Sequence, residues 1–422
     1  MKTVLLVDDS KTIIAQLEQS IKQKLKDDVN LLIAYSFKEA VKHILQNKDI
    51  HLAILDLNLP DAKQGDIVDF AIGKNIPSLV LTGIVDSNLK KFILEKDVLD
   101  FYNKQDIRNI DQLISKIDRS LKNYDAKVLV VDDSATQMSV ALGILKSMHI
   151  DAATASDGQK ALDIIEKSDT KFDLVLTDYN MPNMDGMELT IKLRQKYNKD
   201  DMGIVVLSAN EQPDIATEFL KMGANDFINK PYSKTEFITR VNTNLELLDL
   251  FQRTKDLANK DFLTGSYNRR YFYESGYAIF DKAKRADNPL TVAMFDIDKF
   301  KNINDTYGHD VGDVAIQEIA RVLNDNLRSS DLVARFGGEE FCVLLENIEL
   351  EDVETLFENI RSAFEHNVLK IGEIELSYTV SIGICYGMED TLDDMIKKSD
   401  EGLYHCKENG RNQVYIHQSL FI

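Results

Sequence analysis

The chain is poor in cysteine, with three in 422 residues: Cys342, Cys385 and Cys406, well separated and odd in number. They fit neither a disulfide framework nor a CxxC zinc pattern, so a reducing cytosol is the expected compartment. Long apolar runs are missing too. No stretch approaches the roughly 18 apolar residues of a membrane span. Asp8 and Asp9 cut short the apolar opening MKTVLLVDDS, so neither a secretory signal nor membrane insertion is expected. Positive charge is also scarce: 50 Lys plus Arg face 70 Asp plus Glu, a net charge of -20. This balance opposes non-specific attraction to nucleic acid or anionic lipid. Any phosphate ligand must then be held by local basic groups or metal ions. What remains has the texture of a soluble globular chain, 44% apolar and 28% charged, long enough for two to four domains.

An internal repeat organises the first 247 residues or so. VLLVDDSKT from Val4 answers VLVVDDSAT from Val128, LAILDLNLP from Leu52 answers LVLTDYNMP from Leu174, and DFYNKQ from Asp100 answers DFINKP from Asp226. Within each copy, short Val/Ile/Leu runs alternate with longer helix-period segments, the pattern of buried parallel strands joined by crossover helices. A doubly wound α/β domain, present twice, is predicted. Polar residues fall at the ends of the apolar runs, where open parallel sheets bind ligands. In copy one these are Asp8, Asp9, Asp56, Thr82 and Lys104; in copy two, Asp132, Asp133, Asp178, Ser208 and Lys230.

Carboxylates converging at one sheet edge repel each other, and a hard cation such as Mg²⁺ relieves them while keeping room for phosphate oxygens. The chemistry left open is phosphoryl transfer. The central aspartate can attack a phosphoryl donor, the lysine can pair with the transferred group, and Thr82 or Ser208 can donate to a phosphate oxygen. A strand-end Asp or Thr can also simply cap a helix, but matching positions repeated twice in order argue against that.

These residues resemble the receiver domain of bacterial response regulators. The resemblance implies an aspartyl phosphate on Asp56 or Asp178, a sensor histidine kinase as partner, and metal held by Asp9 and Asp56 or by Asp133 and Asp178. It also implies switch pairs Thr82 with Phe101 and Ser208 with Phe227. Copy two has the fuller pattern, with MPNMDG and Lys230-Pro231; copy one has LPDAKQG, one residue longer, and Gln105 after Lys104.

From Ser233 to about Lys260 the chain reads as one helix without Gly or Pro, with Ile238, Val241, Leu245 and Leu248 in 3-4-3 spacing. That seam suits a coiled-coil pair or packing on its own sheet. The expectation is that both uses hold and that the exposed continuation joins two protomers.

After Asp261 come DFLTGSYNRRYF, a strand LTVAMFDID, KFKNINDTYGHDVGD, and RFGGEEFCVLL with hairpin glycines at Gly337 and Gly338. Asp296 ends one strand and Glu339 and Glu340 follow the turn, so separate elements can bring them to one point. Together these segments resemble a GGDEF domain, the diguanylate cyclase module, over about residues 261 to 417. The resemblance implies an α+β, nucleotide-cyclase-like fold with an antiparallel-rich sheet. It implies condensation of two GTP into cyclic di-GMP with release of pyrophosphate, in a homodimer. The resemblance further implies that Asp296, Glu339 and Glu340 with the Ile297 carbonyl hold Mg²⁺, that Asn304 and Asp313 read guanine, and that Lys407 and Arg411 contact the triphosphate. Arg328 and Asp331, in RSSD, match the inhibitory product site for cyclic di-GMP, and His309 is more structural than catalytic.

The predicted architecture is α/β multidomain: receivers at 1–123 and 124–247, a helical linker at 248–260, and the cyclase domain at 261–422. The expected function is phosphorylation-regulated, product-inhibited cyclic di-GMP synthesis in the cytoplasm. The alternative is a non-catalytic signalling adaptor that binds GTP or cyclic di-GMP. DNA is not an expected partner, because no basic helix-turn-helix segment remains once these domains are assigned.

Overall fold

A computed structural model describes residues 1–25, 29–83, 96, 98–104, 110–168, 170–209 and 213–419. Gln105 lies outside the described residues. The chain divides into two compact units, Met1–Gln252 and Arg253–Ile422.

The first unit holds two five-stranded parallel sheets. One comprises β1 (Lys2–Val7), β2 (Val29–Ala34), β3 (Ile50–Asp56), β4 (Ser78–Thr82) and β5 (Asp100–Asn103), in the order β2-β1-β3-β4-β5. The other comprises β6 (Lys127–Val131), β7 (Asp151–Ala155), β8 (Leu174–Asp178), β9 (Gly203–Ser208) and β10 (Asp226–Asn229), in the order β7-β6-β8-β9-β10. The order is the same in both, so the sequence repeat is a repeated fold. Val4 to Val7 and Val128 to Val131 are buried throughout because helices cover both faces of each sheet. Each such side chain contributes about 2 kcal/mol on burial. Strand order reverses between β1 and β3, and between β6 and β8, which opens a crevice at the C-terminal strand ends.

The two repeats pack against each other through Arg119, on the helix Ile110–Lys122. Its guanidinium, 4% exposed, donates to Asp249 at 2.8 Å and to Asn123 at 3.0 Å. Burial lowers its pKa and the carboxylate of Asp249 opposes that. Tyr124 stands between the rings of His51 and His149, at 5.0 and 4.9 Å, and donates its hydroxyl to the His51 carbonyl.

The long helix spans Lys234–Asn259, and Ser233 Oγ accepts from the Glu236 N–H at 3.1 Å to start it. Val241 and Leu245 are buried in the second sheet's core, with Ile238 and Leu248 packed beside them. The 3-4-3 seam therefore serves its own sheet. A different stripe faces outward: Leu247, Leu250, Phe251 and Leu257 are exposed.

The second unit is built on a six-stranded sheet ordered β11-β13-β14-β12-β17-β18. Its strands are β11 (Tyr267–Asn268), β12 (Leu290–Ile297), β13 (Leu332–Gly337), β14 (Glu340–Glu346), β17 (Val380–Gly387) and β18 (Val414–Gln418). β15 (Leu369–Ile371) and β16 (Ile374–Leu376) form a separate hairpin. The inner pairs are antiparallel and the outer two parallel. Apolar cores lie on both faces, around Phe295, Phe341 and Phe357 on one and Phe272 and Met395 on the other. The three cysteines are buried and free, and burial raises the thiols of Cys385 and Cys406 to about 11, which keeps them protonated. Among the described residues, no helix is long and apolar enough to cross a membrane.

Candidate functional site

In the first repeat, Lys104 follows β5 and reaches back across the strand ends. Its Nζ lies 2.7 Å from both Asp8 Oδ2 and Asp56 Oδ2. The other oxygens are held by backbone N–H groups: Ser10 donates to Asp8 at 2.9 Å, and Asn58 to Asp56 at 3.2 Å. Burial pushes the Asp56 carboxyl up and Lys104 offsets part of that rise. Burial also works against the charge on Lys104, but its two carboxylate partners outweigh it and leave the ammonium more basic than usual. Asp8, Asp9 and Asp56 each bring a carboxylate oxygen within 4.8 Å of the others. Among the described residues this is the one acidic group so closely gathered, and its hard oxygen donors suit a divalent cation.

The second repeat reproduces the lysine bridge. Lys230 Nζ contacts Asp132 at 2.7 Å and Asp178 at 2.5 Å. Ser134 donates to Asp132 at 2.8 Å and Asn180 to Asp178 at 2.9 Å. Burial raises the Asp178 carboxyl and Lys230 opposes it. Lys230 itself loses basicity to burial and regains more from Asp132 and Asp178. Asp132, Asp133 and Asp178 do not draw together as the first trio does. Thr82 and Ser208 are buried at the ends of β4 and β9, and Phe101 and Phe227 are half-buried in the neighbouring strands.

LPDAKQG ends at Gly65, whose φ of 85° only glycine adopts readily. Gly65 donates to Leu57 O at 3.1 Å and Gly186 to Tyr179 O at 3.0 Å, so both turns close on the residue after the central aspartate. The Lys230–Pro231 peptide is cis.

In the second unit, β12 runs between β14 and β17, and its ladder pairs Phe295 with Phe341. One step further along, Asp296 meets the start of β14 and the turn before it. Gly338 has φ 53°, suited to the first position of a two-residue hairpin turn. Arg335 grips that turn, donating to Gly338 O from Nε at 2.9 Å and Nη2 at 2.7 Å, and from Nη1 to Asp261 Oδ1 at 3.0 Å. Asp296 is 5% exposed, Glu339 is half-buried and Glu340 is exposed. Burial pushes the Asp296 carboxyl up to about 6; Lys407, with Nζ at 2.7 Å, lowers it, and Glu339 and Glu340 raise it. This crowding of acids fits a divalent cation by the chemistry of its donors.

Asn304 lies on the helix Phe300–Tyr307, and its Oδ1 is buried with no hydrogen-bond partner. Asp313 is exposed on the next helix, His309–Asn326, which His309 opens with its side chain exposed. Lys407 lies in the last turn of the helix Leu392–Glu408 and Arg411 is exposed in the turn beyond. Arg328 and Asp331 form a tight local turn: the Arg328 N–H donates to Asp331 Oδ2 at 2.8 Å and the guanidinium is left exposed. Burial raises the Asp331 carboxyl and this contact opposes the rise.

Sequence reasoning passed over Arg335 and Asp298. Their signals were an arginine two residues before the glycine pair and a second acid two residues after Asp296.

Lysine-bridged aspartates in parallel sheets, joined to an acid hairpin in a cyclase-type sheet, define a response-regulator class of protein with a nucleotide-handling output domain. Comparison with known sequences agrees. Residues 258–413 match the family described as diguanylate cyclase, GGDEF domain, and residues 128–242 match the response regulator receiver domain. A solved structure of a two-component system response regulator/GGDEF domain protein aligns with 31% identity over 59% of this chain and 100% of that one, with a TM-score of 0.53. The chain belongs to the response-regulator GGDEF proteins. It is similar to the response regulator PleD of Caulobacter vibrioides, at 32% identity over 308 residues, 70% of this chain and 66% of PleD. A diguanylate cyclase of Vibrio cholerae is 38% identical over 181 residues, 42% of this chain and 56% of that protein. The matched stretches thus span less than two thirds of these relatives' lengths.

Proposed function

We propose that the chain is a phosphorylation-regulated diguanylate cyclase with receivers at 1–123 and 124–247, a helical linker at 248–260 and the cyclase domain at 261–422. The observation that carries the reading is Asp296, a buried carboxyl at the end of β12, set between Lys407 and the two glutamates of the hairpin.

In each half-reaction the 3′-oxygen of one GTP attacks the α-phosphorus of the other, the bond to pyrophosphate breaks and the hydroxyl proton is released. Two such steps give cyclic di-GMP and two pyrophosphates. Mg²⁺ held by Asp296, Glu339, Glu340 and the Ile297 carbonyl would offset phosphoryl charge and lower the hydroxyl pKa. Asn304 and Asp313 take the guanine edge, one from the helix Phe300–Tyr307 and the other from the helix His309–Asn326 that follows it. Lys407 and Arg411 hold the phosphates.

Each cyclase domain binds one GTP, so turnover requires two copies of the chain, and the exposed stripe Leu247, Leu250, Phe251 and Leu257 supports pairing through the long helix. A sensor histidine kinase supplies the phosphoryl group to Asp56 or Asp178. Product binds at Arg328 and Asp331; the exposed guanidinium of Arg328 supports a phosphate or guanine contact.

The test is to incubate the purified chain with GTP and Mg²⁺, with and without beryllofluoride, and to resolve the nucleotide product by chromatography and the mass in solution by light scattering. Cyclic di-GMP formed by a dimer supports the reading. GTP left intact under every condition refutes it.

A further inference from the structure

We propose that Asp298, a carboxylate outside the metal set, is a positioning residue for the triphosphate, acting through the turn that carries Arg411; the proposal rests on the cyclase reading above. Asp298 is 8% exposed and its acceptors are used by three donors. Ser381 Oγ donates to Oδ1 at 2.7 Å, while Thr379 Oγ1 at 2.7 Å and the Asn412 N–H at 2.9 Å donate to Oδ2. An ionised carboxylate can accept all three, whereas an amide offers a single acceptor oxygen.

The turn held in this way is strained. Gly410, Arg411 and Asn412 have φ values of 114°, 66° and 48°. Side-chain-bearing residues avoid this region, and two in succession persist only where their surroundings over-determine them. Asn412 is so determined: besides the bond from its N–H to Asp298, its Oδ1 accepts from Arg361 Nη1 at 2.6 Å and its Nδ2 donates to Glu365 Oε1 at 2.9 Å. The Arg411 N–H closes the turn on Cys406 O at 2.9 Å. The Arg411 side chain is exposed. The conformation presents a cation four residues after Lys407, which already reaches Asp296. Asp298 joins the strand end bearing Asp296 to the turn bearing Arg411, so it sets the spacing between the acid that holds metal and the cation that holds phosphate.

The experiment uses the full chain and four single variants, Asp298→Asn, Arg411→Ala, Asn412→Ala and Asn412→Gly, with the double variant of the first two. kcat and KM are measured with GTP, and affinity is measured with 3′-deoxy-GTP, which lacks the attacking hydroxyl. Asp298→Asn is expected to raise KM and the 3′-deoxy-GTP Kd about tenfold while kcat moves by less than about threefold. Adding Arg411→Ala should bring no further loss, because both changes remove one interaction. Asn412→Gly and Asn412→Ala both keep the N–H to Asp298 and both lose the side-chain bonds to Arg361 and Glu365, so the glycine form, which adopts positive φ freely, should lose less affinity than the alanine form. Unchanged affinity in Asp298→Asn, or multiplied losses in the double variant, overturns the proposal. Should Asp298→Asn fail to fold by circular dichroism, the Asn412 pair decides, and equal affinities for its alanine and glycine forms overturn it. If the parent binds 3′-deoxy-GTP but makes no cyclic di-GMP, the cyclase reading fails while the affinity series still judges the clamp.

Discussion

Replacing Lys407 with methionine isolates the charge balance of the cyclase pocket, because it keeps the apolar stem and removes the ammonium 2.7 Å from Asp296. Burial first, and then Glu339 and Glu340, hold the Asp296 carboxyl near 6 against an ordinary 3.8, with Lys407 pulling the other way. A shift of that size is worth about 3 kcal/mol in favour of the neutral form. The sign follows from linkage: a raised carboxyl contributes its stability below its unfolded pKa and loses it as pH rises through the folded value near 6. In the parent, Asp296 is about nine-tenths ionised at neutral pH. Without Lys407 its pKa moves above about 6, so near pH 6.5 a divalent cation must displace a proton more often. Near pH 8.5 the carboxyl is ionised in both proteins, and the lysine that competes with metal is gone. The Mg²⁺ concentration for half-maximal pyrophosphate release, with GTP saturating, should therefore rise about fivefold in the variant near pH 6.5 and show no rise near pH 8.5. A lost phosphate contact at Lys407 would weaken GTP binding at every pH alike. A ratio of Mg²⁺ requirements that stays constant across this range would falsify the charge-balance argument.

Glu339→Gln or Glu340→Gln should cut cyclic di-GMP synthesis at least about a hundredfold with circular dichroism unchanged, since a neutral amide is a poor ligand for a hard cation; near-normal turnover in both variants removes the metal assignment. Asp178→Asn should weaken activation by beryllofluoride more than Asp56→Asn, because the helix following β10 buries Phe237, Val241 and Leu245 in the second repeat's core before continuing toward the cyclase. Turnover and dimer mass of the two variants check this, and the opposite ranking assigns control to the first repeat. Asp249→Ala should destabilise the first unit by about 2 kcal/mol, less than a fully buried pair would lose because Asp249 is 40% exposed. Hydrogen exchange in the helix Ile110–Lys122 reports it, and Arg119→Met added to Asp249→Ala should recover part of the loss; unchanged protection refutes the role of the pair.

Much of this protein was legible in the chain itself. The VDDS repeat, the apolar runs ending in acids and the lysines after DFYN and DFIN specified two parallel sheets with chemistry at their strand ends. Each of those signals is local, set by the period of one element or the residue that terminates it. The acid hairpin was legible for the same reason, because glycines and glutamates are adjacent in sequence. Tertiary structure decided what depends on partners distant along the chain. Arg119 meets a carboxylate 130 residues away, and Asp298 gathers donors 81, 83 and 114 residues away. No periodicity encodes such pairings. The face of the long helix was likewise undecided by spacing, since 3-4-3 apolar residues serve a coiled coil or a sheet equally well; only the packing of Val241 and Leu245 placed that seam inward and left Leu247, Leu250, Phe251 and Leu257 outside. The acid clusters of the two repeats show the same limit: their acids read alike in sequence, yet among the described residues only Asp8, Asp9 and Asp56 are drawn within 4.8 Å of one another, because side-chain geometry at a strand end is set by the fold around it.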